Sequence, residues 1–367
     1  MAPSSHEREA TQPTVLPPEP AEAQSFLQTG VQPTSAGAVM KHTKAPMFTF
    51  SRMMLEGSFG VFMAVFIFSV ILTIFTDGFL TRDNIYSTTR TASLWIIVGF
   101  SQMLVLTIGH MNLSAGAIGG LAGVTVGWLF QSFGAPAWVV IPAGILVGTA
   151  CGAFNGLFIV RTGINAFVVT LGTSSIFLGI NYGLTKAMPF SRVPPAFDFI
   201  GRAKLFQTIP FLCLVMLAVA GILYFMFQHT VLGRQILAIG GNQEAAVLSG
   251  INTKRVIVLV HTLSGLIAGL AGVLFVGRLG AAHPTIGQNW LLMSFAVPVI
   301  GGTALNGGYT SIPGVLMGGV LMTLLSNGLV LLRVNIYLES LFMGILVLIA
   351  VVVDRGRAVY AERKWYF

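Results

Sequence analysis

The side chains of this chain that could do chemistry are neutral amides and hydroxyls set inside apolar runs: Gln102, Asn112, Ser114, Asn155, Thr170, Thr173, Asn181 and Asn327. They offer hydrogen-bond donors and acceptors without charge. Two uses compete for them. They can meet a hydroxyl-rich, uncharged solute, or they can bond one apolar helix to another, a contact worth under about 2 kcal/mol in lipid. The acids lie elsewhere: Asp77, Asp83, Asp198, Glu244, Glu339 and Asp354 fall in loops or at the ends of runs. A proton- or cation-coupled carrier usually places ionisable groups at mid-membrane. Their absence weighs against a stand-alone carrier, although backbone carbonyls can also build a Na⁺ site. No Gly-rich loop ending in Gly-Lys-Ser/Thr, no His-Glu-x-x-His, no Cys-x-x-Cys and no Gly-x-Ser-x-Gly occurs. ATP binding by that loop is therefore not expected, nor is a catalytic residue or a cofactor. His110 and His261 lie near the runs without a further ligand at metal spacing, so no metal site is expected. Cys151 and Cys213 both fall in apolar runs and read as small buried hydrophobes.

The elements that must position these groups are about ten apolar blocks, at residues 59–76, 94–109, 115–130, 137–159, 164–184, 209–228, 256–277, 290–304, 312–332 and 337–353. A spanning helix needs about 20 mostly apolar residues at about 1.5 Å each. Charged residues make up 9% of the chain, against about 25% in soluble domains, and they sit in the gaps between blocks. Ten such blocks in series cannot all be buried in a soluble protein of this length. The expected fold class is an all-α integral membrane protein of about ten transmembrane helices, with lipid as its solvent. The net charge of +8 reads as cationic loops facing anionic lipid. No basic stripe with interleaved aromatics is present, so no nucleic-acid partner is expected.

Residues 1–45 are rich in Pro, Glu, Gln, Ser and Thr and cannot bury enough surface to fold alone. They are expected to form a disordered cytoplasmic tail, with no signal peptide, ahead of a transmembrane domain at 46–355 and a cytoplasmic tail at 356–367. Lys41, Lys44 and Arg52 before the first block, and Arg355, Arg357, Arg363 and Lys364 after the last, favour both termini inside. The outside then holds Arg90, Lys204 and Arg278 among others. It also holds the 185–208 loop, whose Pro189, Pro194 and Pro195 predict an irregular or short-helical piece.

The long inside loop, 229–255, carries a helix signal. Asn242 is a suitable N-cap, Glu244 suits the positive first turn, Ala245, Ala246, Val247 and Leu248 can continue the helix, and Gly250 is placed to stop it. A helix of about two turns is expected there, offering Ala and Leu to a partner. Glycine numbers 43 and recurs at four-residue spacing inside the blocks: Gly119, Gly123 and Gly127; Gly148, Gly152 and Gly156; Gly265 and Gly269; Gly314 and Gly318. Such spacing lets helix backbones approach closely in lipid.

Several stretches together resemble one family. Gly109-His110-Met111-Asn112-Leu113-Ser114-Ala115-Gly116 is similar to the Gly-Gly-Ile-Asp-Leu-Ser-Val-Gly signature of ribose-type ABC importer permeases. Asn155-Gly156-Leu157 and Phe167-Val168-Val169-Thr170-Leu171-Gly172-Thr173 resemble its next two motifs. Gly240 to Ile251 resembles its cytoplasmic loop, and Gly301-Gly302-Thr303-Ala304-Leu305-Asn306-Gly307-Gly308 with Gly314 its C-terminal motif. The resemblance spans residues 50–355. It implies a multi-pass bacterial inner-membrane permease working with a second permease subunit, a periplasmic sugar-binding protein and a cytoplasmic ABC ATPase. That ATPase would hydrolyse ATP on a separate chain and dock on the coupling helix formed by Asn242, Glu244, Ala245, Ala246, Leu248 and Gly250. The related branched-chain amino-acid class shares the plan. Departures are His110 for the usual Gly, Asn112 for the usual Asp, and Trp290-Leu291-Leu292-Met293 where the family often has Tyr-Glu-Leu-Asp.

Overall fold

The computed structural model describes residues 58–205 and 209–335, with residues 338, 340–345, 348 and 352 beyond them. The expected tails, 1–45 and 356–367, lie outside the described residues, as does much of the last apolar block.

The described chain is almost wholly helical. Helix α1 spans Ser58–Phe75. Helix α2, Arg82–Thr107, begins well before its apolar block: Thr81 caps it by accepting from the Asn84 N–H, and Asp83 sits in the positive first turn. Helix α3, Ala115–Phe133, ends at Gly134 in the left-handed region. Helix α4, Ala137–Thr162, carries Pro142 in its second turn. Helix α5, Ala166–Thr185, is capped by Asn165, whose side chain accepts from the Phe167 N–H at 2.8 Å. The 185–208 loop contains a short helix α6, Pro195–Arg202, and a two-residue strand β1, Lys204–Leu205, which pairs antiparallel with β2, Ile209–Pro210, just beyond the loop. Then come α7, Phe211–His229, α8, Val231–Gly241, α9, Gln243–Leu248, and α10, Thr253–Leu279. Helices α11, Trp290–Ile300, and α12, Ile312–Leu331, complete the described set.

Seven of these helices are long and apolar enough to cross a membrane: α2, α3, α4, α5, α7, α10 and α12. The apolar helices α1, α8 and α11 are shorter. Two boundaries differ from the hydropathy blocks for local reasons. Helix α11 stops at Ile300, two residues after its internal Pro298 and just ahead of the Gly301-Gly302 pair. Helix α8 lies within the stretch read as loop, since Arg234 and its glycines break the apolar run without preventing a helix.

Helices α2, α3 and α10 are the most buried of the long apolar helices, each about two thirds or more along its best apolar stretch. Glycine sets how closely they are approached. On α4, a Cβ at Gly148 would lie 2.6 Å from the Gly265 carbonyl oxygen and the Gly269 Cα, and one at Gly152 would lie 2.3 Å from the His261 carbonyl oxygen. Gly119 and Gly123 of α3 bring that helix onto Trp290, Ala268 and Gly272, and Gly314 and Gly318 bring α12 onto Val297 and Gly301. Trp290, at the start of α11, stacks on Phe275 with ring centroids 4.7 Å apart. Trp290 and Met293 are buried while Leu291 and Leu292 are exposed. The stretch that departs from the acidic pattern therefore packs through its first and fourth side chains, about one helical turn apart.

Candidate functional site

The helical path breaks between α2 and α3, and that break organises the site. Gly109 adopts φ +73°, and a Cβ there would lie 3.1 Å from the Asn306 carbonyl oxygen, so the turn out of α2 requires glycine. The segment from Gly109 to Ser114 then runs without regular structure from an exposed Gly109 to a fully buried Asn112 and Ser114. Backbone groups there must find partners, because neither lipid nor packed apolar side chains supply any.

The partners are the polar side chains that stand out in the sequence. Gln102, its amide turned to serve both groups, donates to the Asn112 carbonyl oxygen at 2.9 Å and accepts from the Asn112 N–H at 3.2 Å. The Asn112 side-chain oxygen accepts from the Ser114 N–H at 3.0 Å and the Ser114 hydroxyl at 2.7 Å. Its amide nitrogen donates to the Ser264 hydroxyl on α10 at 3.1 Å, and Ser264 lies 3.3 Å from the Ser101 hydroxyl on α2. From α4, the Asn155 amide donates to the Ser114 hydroxyl at 2.8 Å. On α5, the Thr170 hydroxyl accepts from the Leu113 N–H at 3.1 Å. One network thus fastens the segment to α2, α4, α5 and α10 at once. Gln102, Asn112, Ser114, Asn155, Thr170 and Ser264 have no exposed surface.

Three candidates lie outside the network. Thr173 bonds only to the Thr170 carbonyl, at 3.3 Å. Asn327 of α12 exchanges a reciprocal pair of amide bonds with Asn84 of α2, at 2.8 and 3.2 Å. Asn181, further along α5, donates to the Pro284 carbonyl at 3.2 Å. Among the described residues, the side-chain oxygens of Asn155 and Asn181 are buried without a partner.

Reading from sequence missed Ser101, Ser264 and the pairing of the two histidines. His110 Nδ1 lies 3.3 Å from His261 Nε2, close enough for one ring to donate to the other. Among the described residues, no group of three or more potential metal ligands occurs. His110 also opens onto a cavity of about 550 Å³, with Gly109 and Met111 beside it and Asn165, Gln243 and Lys254 facing it. This cavity joins the broken segment to the first residues of α9 and α10.

Helix α9 is six residues long, shorter than the two turns expected. The Asn242 side chain accepts from the Ala245 N–H at 2.9 Å, Glu244 lies in the first turn, and Gly250 takes φ +79° just after the helix. The Ile251 N–H returns to the Ala246 carbonyl at 3.1 Å and closes the end. Ala246 faces inward and is buried, whereas Glu244, Ala245 and Val247 are exposed and Leu248 is 89% exposed.

Residues 84–351 match a protein family described as branched-chain amino acid transport system, permease component. The chain belongs to this permease family. The D-allose transport system permease protein AlsC of Escherichia coli is similar, 37% identical over 79% of this chain and 90% of its own length. The ribose import permease protein RbsC of Bacillus subtilis is 35% identical over 82% of this chain and 93% of its own. The fructose import permease protein FrcC of Rhizobium meliloti is 35% identical over 71% of this chain and 74% of its own. No solved structure matches. Together with its seven long apolar helices, membership makes the permease a multi-pass inner-membrane protein.

Proposed function

We propose that the permease is the membrane subunit of an ATP-driven importer. In this reading it passes a simple neutral sugar, a pentose or a related solute, from a periplasmic binding protein to the cytoplasm by alternating access. The observation that carries the reading is the identity of 37% and 35% to permeases named for allose and ribose, over 79% and 82% of the chain. The site chemistry agrees. Among the described residues, the fully buried polar side chains are amides, hydroxyls and one histidine, without the buried acids that an ion-coupled carrier usually uses. The deciding experiment reconstitutes the permease in liposomes with its ATPase and binding protein. Labelled sugar should accumulate only with ATP inside, and uptake driven by an ion gradient without the ATPase would refute the proposal.

In this arrangement the seven long helices, α1, α11 and the apolar stretch 337–353 make ten crossings, with both termini in the cytoplasm. Helices α8 and α9 then lie on the cytoplasmic side, and α9 receives the ATPase. Its inward Ala246 anchors it, and its contact face is Glu244, Ala245, Val247 and Leu248. Leu248→Asp places a charge on that face without touching the interior. Uptake should fall by about tenfold or more, in line with the loss of a buried apolar anchor, while the amount of protein in the membrane stays unchanged. Uptake and immunoblot from the same cells check both parts.

The polar network holds the Gly109–Ser114 segment in place, and the solute moves past it along the outward side of α5, against a second permease subunit. Support comes from how α5 is packed. Val169, Thr170, Thr173, Phe177 and Asn181 are buried, while Gly172, Gly179 and Gly183 meet nothing within 4 Å. Other glycines of the spans, such as Gly148 and Gly265, are pressed against neighbouring backbone. Gly179→Trp fills that open side. Uptake should drop below about a tenth of the starting rate, since a large side chain blocks a shared path without entering the subunit's own core. The melting temperature of the isolated permease should move by no more than a few degrees, as differential scanning fluorimetry would show.

A second reading is transport of a branched-chain amino acid, which the family's description favours. A zwitterion requires a partner for each charge. Competition between labelled sugar and leucine in the reconstituted system separates the two.

A further inference from the structure

At the end of α10 remote from α9, two arginines come together through contacts with α2 and α6, with no ion-pair partner among the described residues. Arg278 lies in the last turn of α10, and its Nη2 donates to the Thr91 hydroxyl of α2 at 2.9 Å. Arg90, next to Thr91, reaches the Gly201 carbonyl with Nη1 at a long 3.4 Å, and its Nε is buried with no partner among the described residues. Both guanidiniums are half-buried, and two like charges so placed repel each other. Lys204 adds a third cation: its Nζ lies 4.5 Å from the centre of the Tyr86 ring, which Arg90 also faces at 5.7 Å. Helix α6 closes over the pair. A Cβ at Gly201 would lie 2.1 Å from the Gly277 carbonyl oxygen.

Partly buried guanidiniums that repel each other and use few of their donors are costly unless an anion joins them. Their planar forks match a phosphate or carboxylate oxyanion. Helix α10 is about 40 Å long, which exceeds the hydrocarbon thickness of about 30 Å, so its last turn reaches headgroup level. Exposed apolar side chains adjoin the cations in sequence: Ile85 beside Tyr86, Phe199 ahead of Gly201, and Leu279 after Arg278. Cations next to bare apolar surface suit an amphiphile better than a free ion. We propose that Arg90 and Arg278, with Lys204, bind a phosphate oxyanion, supplied by the headgroup of an anionic phospholipid. The site is independent of which solute the permease carries.

The test uses the full chain purified in detergent and offered phosphatidylglycerol and an uncharged galactosyl diglyceride in equal amounts, with bound lipid counted by native mass spectrometry. Phosphatidylglycerol should be retained about tenfold over the glycolipid, and Arg90→Gln or Arg278→Gln should erase the preference. Arg90→Lys and Arg278→Lys keep the charge without the fork and should keep part of it; these variants also hold the test open if a glutamine variant misfolds. A further arm adds inorganic phosphate. Displacement of the lipid by millimolar phosphate supports the oxyanion site and identifies the free ion as a competing source. Equal retention of both lipids, or a preference unchanged in folded glutamine variants, overturns the proposal. It also falls if no lipid is retained but an aspartate-rich peptide is bound and Arg278→Gln releases it, because the site is then a protein contact.

Discussion

Replacing Gly265 by leucine is expected to remove the folded permease altogether. A Cβ at Gly265 would lie 2.4 Å from the Gly148 carbonyl oxygen and 2.7 and 2.8 Å from the Gly152 Cα and N, all of them backbone atoms of α4. Side chains can rotate away from an added methyl, but a helix backbone cannot, so α4 and α10 must separate along their length. Ordinary overpacking costs about 1–3 kcal/mol, and a clash that the neighbour cannot relieve exceeds that range. Domains are commonly stable by only about 5–15 kcal/mol. The same contact carries His261, whose carbonyl oxygen lies against Gly152, and it positions Ser264 beside Asn112. Loss of the helix contact therefore disassembles the polar network as well. Fluorescence-detected size-exclusion chromatography of the detergent extract should show the monodisperse peak lost for Gly265→Leu. Gly172→Leu, at a glycine with open space around it, should leave the peak in place. A normal peak for Gly265→Leu would show that this helix contact is not needed for folding.

How far the sequence anticipates the structure depends on the range of the interaction involved. The apolar run 312–332 becomes α12 at Ile312–Leu331, and 137–159 becomes α4 at Ala137–Thr162, because continuous hydrophobicity is a local signal. Helix α2 starts at Arg82, ahead of its apolar run, because polar residues such as Ser87, Thr88 and Arg90 continue a capped helix without contributing to hydropathy. The Asn242 cap and the Gly250 turn are local and legible. The direction in which Ala246 faces is not, since it depends on what α9 packs against. At the candidate site, residue type singled out Gln102, Asn112, Ser114, Asn155 and Thr170. Their use on one another, rather than on open space, follows from a break in the chain that brings α2, α4, α5 and α10 to one point. Ser264 and the His110–His261 pair belong to that convergence, and no spacing within one segment signals a partner about 150 residues away.

The network makes Asn112 the residue whose loss should do most to the site without touching a helix contact. Its side chain accepts from the Ser114 N–H and hydroxyl and donates to the Ser264 hydroxyl. Asn112→Leu keeps the branching of the side chain and removes every one of these bonds. Each buried group left unpaired costs about 1–3 kcal/mol, although side-chain bonds within membranes have averaged nearer 0.6 kcal/mol. The Ser114 N–H is the decisive group, because a backbone donor in the interior has no lipid or solvent to turn to. The expected outcome is a permease that still reaches the membrane, melts several degrees lower and loses most of its uptake, because the Gly109–Ser114 segment is no longer held. Asn112→Asp separates hydrogen bonding from shape. A carboxylate there still accepts from the Ser114 N–H and hydroxyl, and the Ser264 hydroxyl can rotate to donate to it, so three donors hold the charge. That variant should retain uptake within about a few-fold, since every partner of the amide is served. Thermal melting and initial uptake rates on both variants check the pair. If Asn112→Leu transports normally while folded, the segment does not depend on its polar anchors, and the network would be a packing feature without a part in transport.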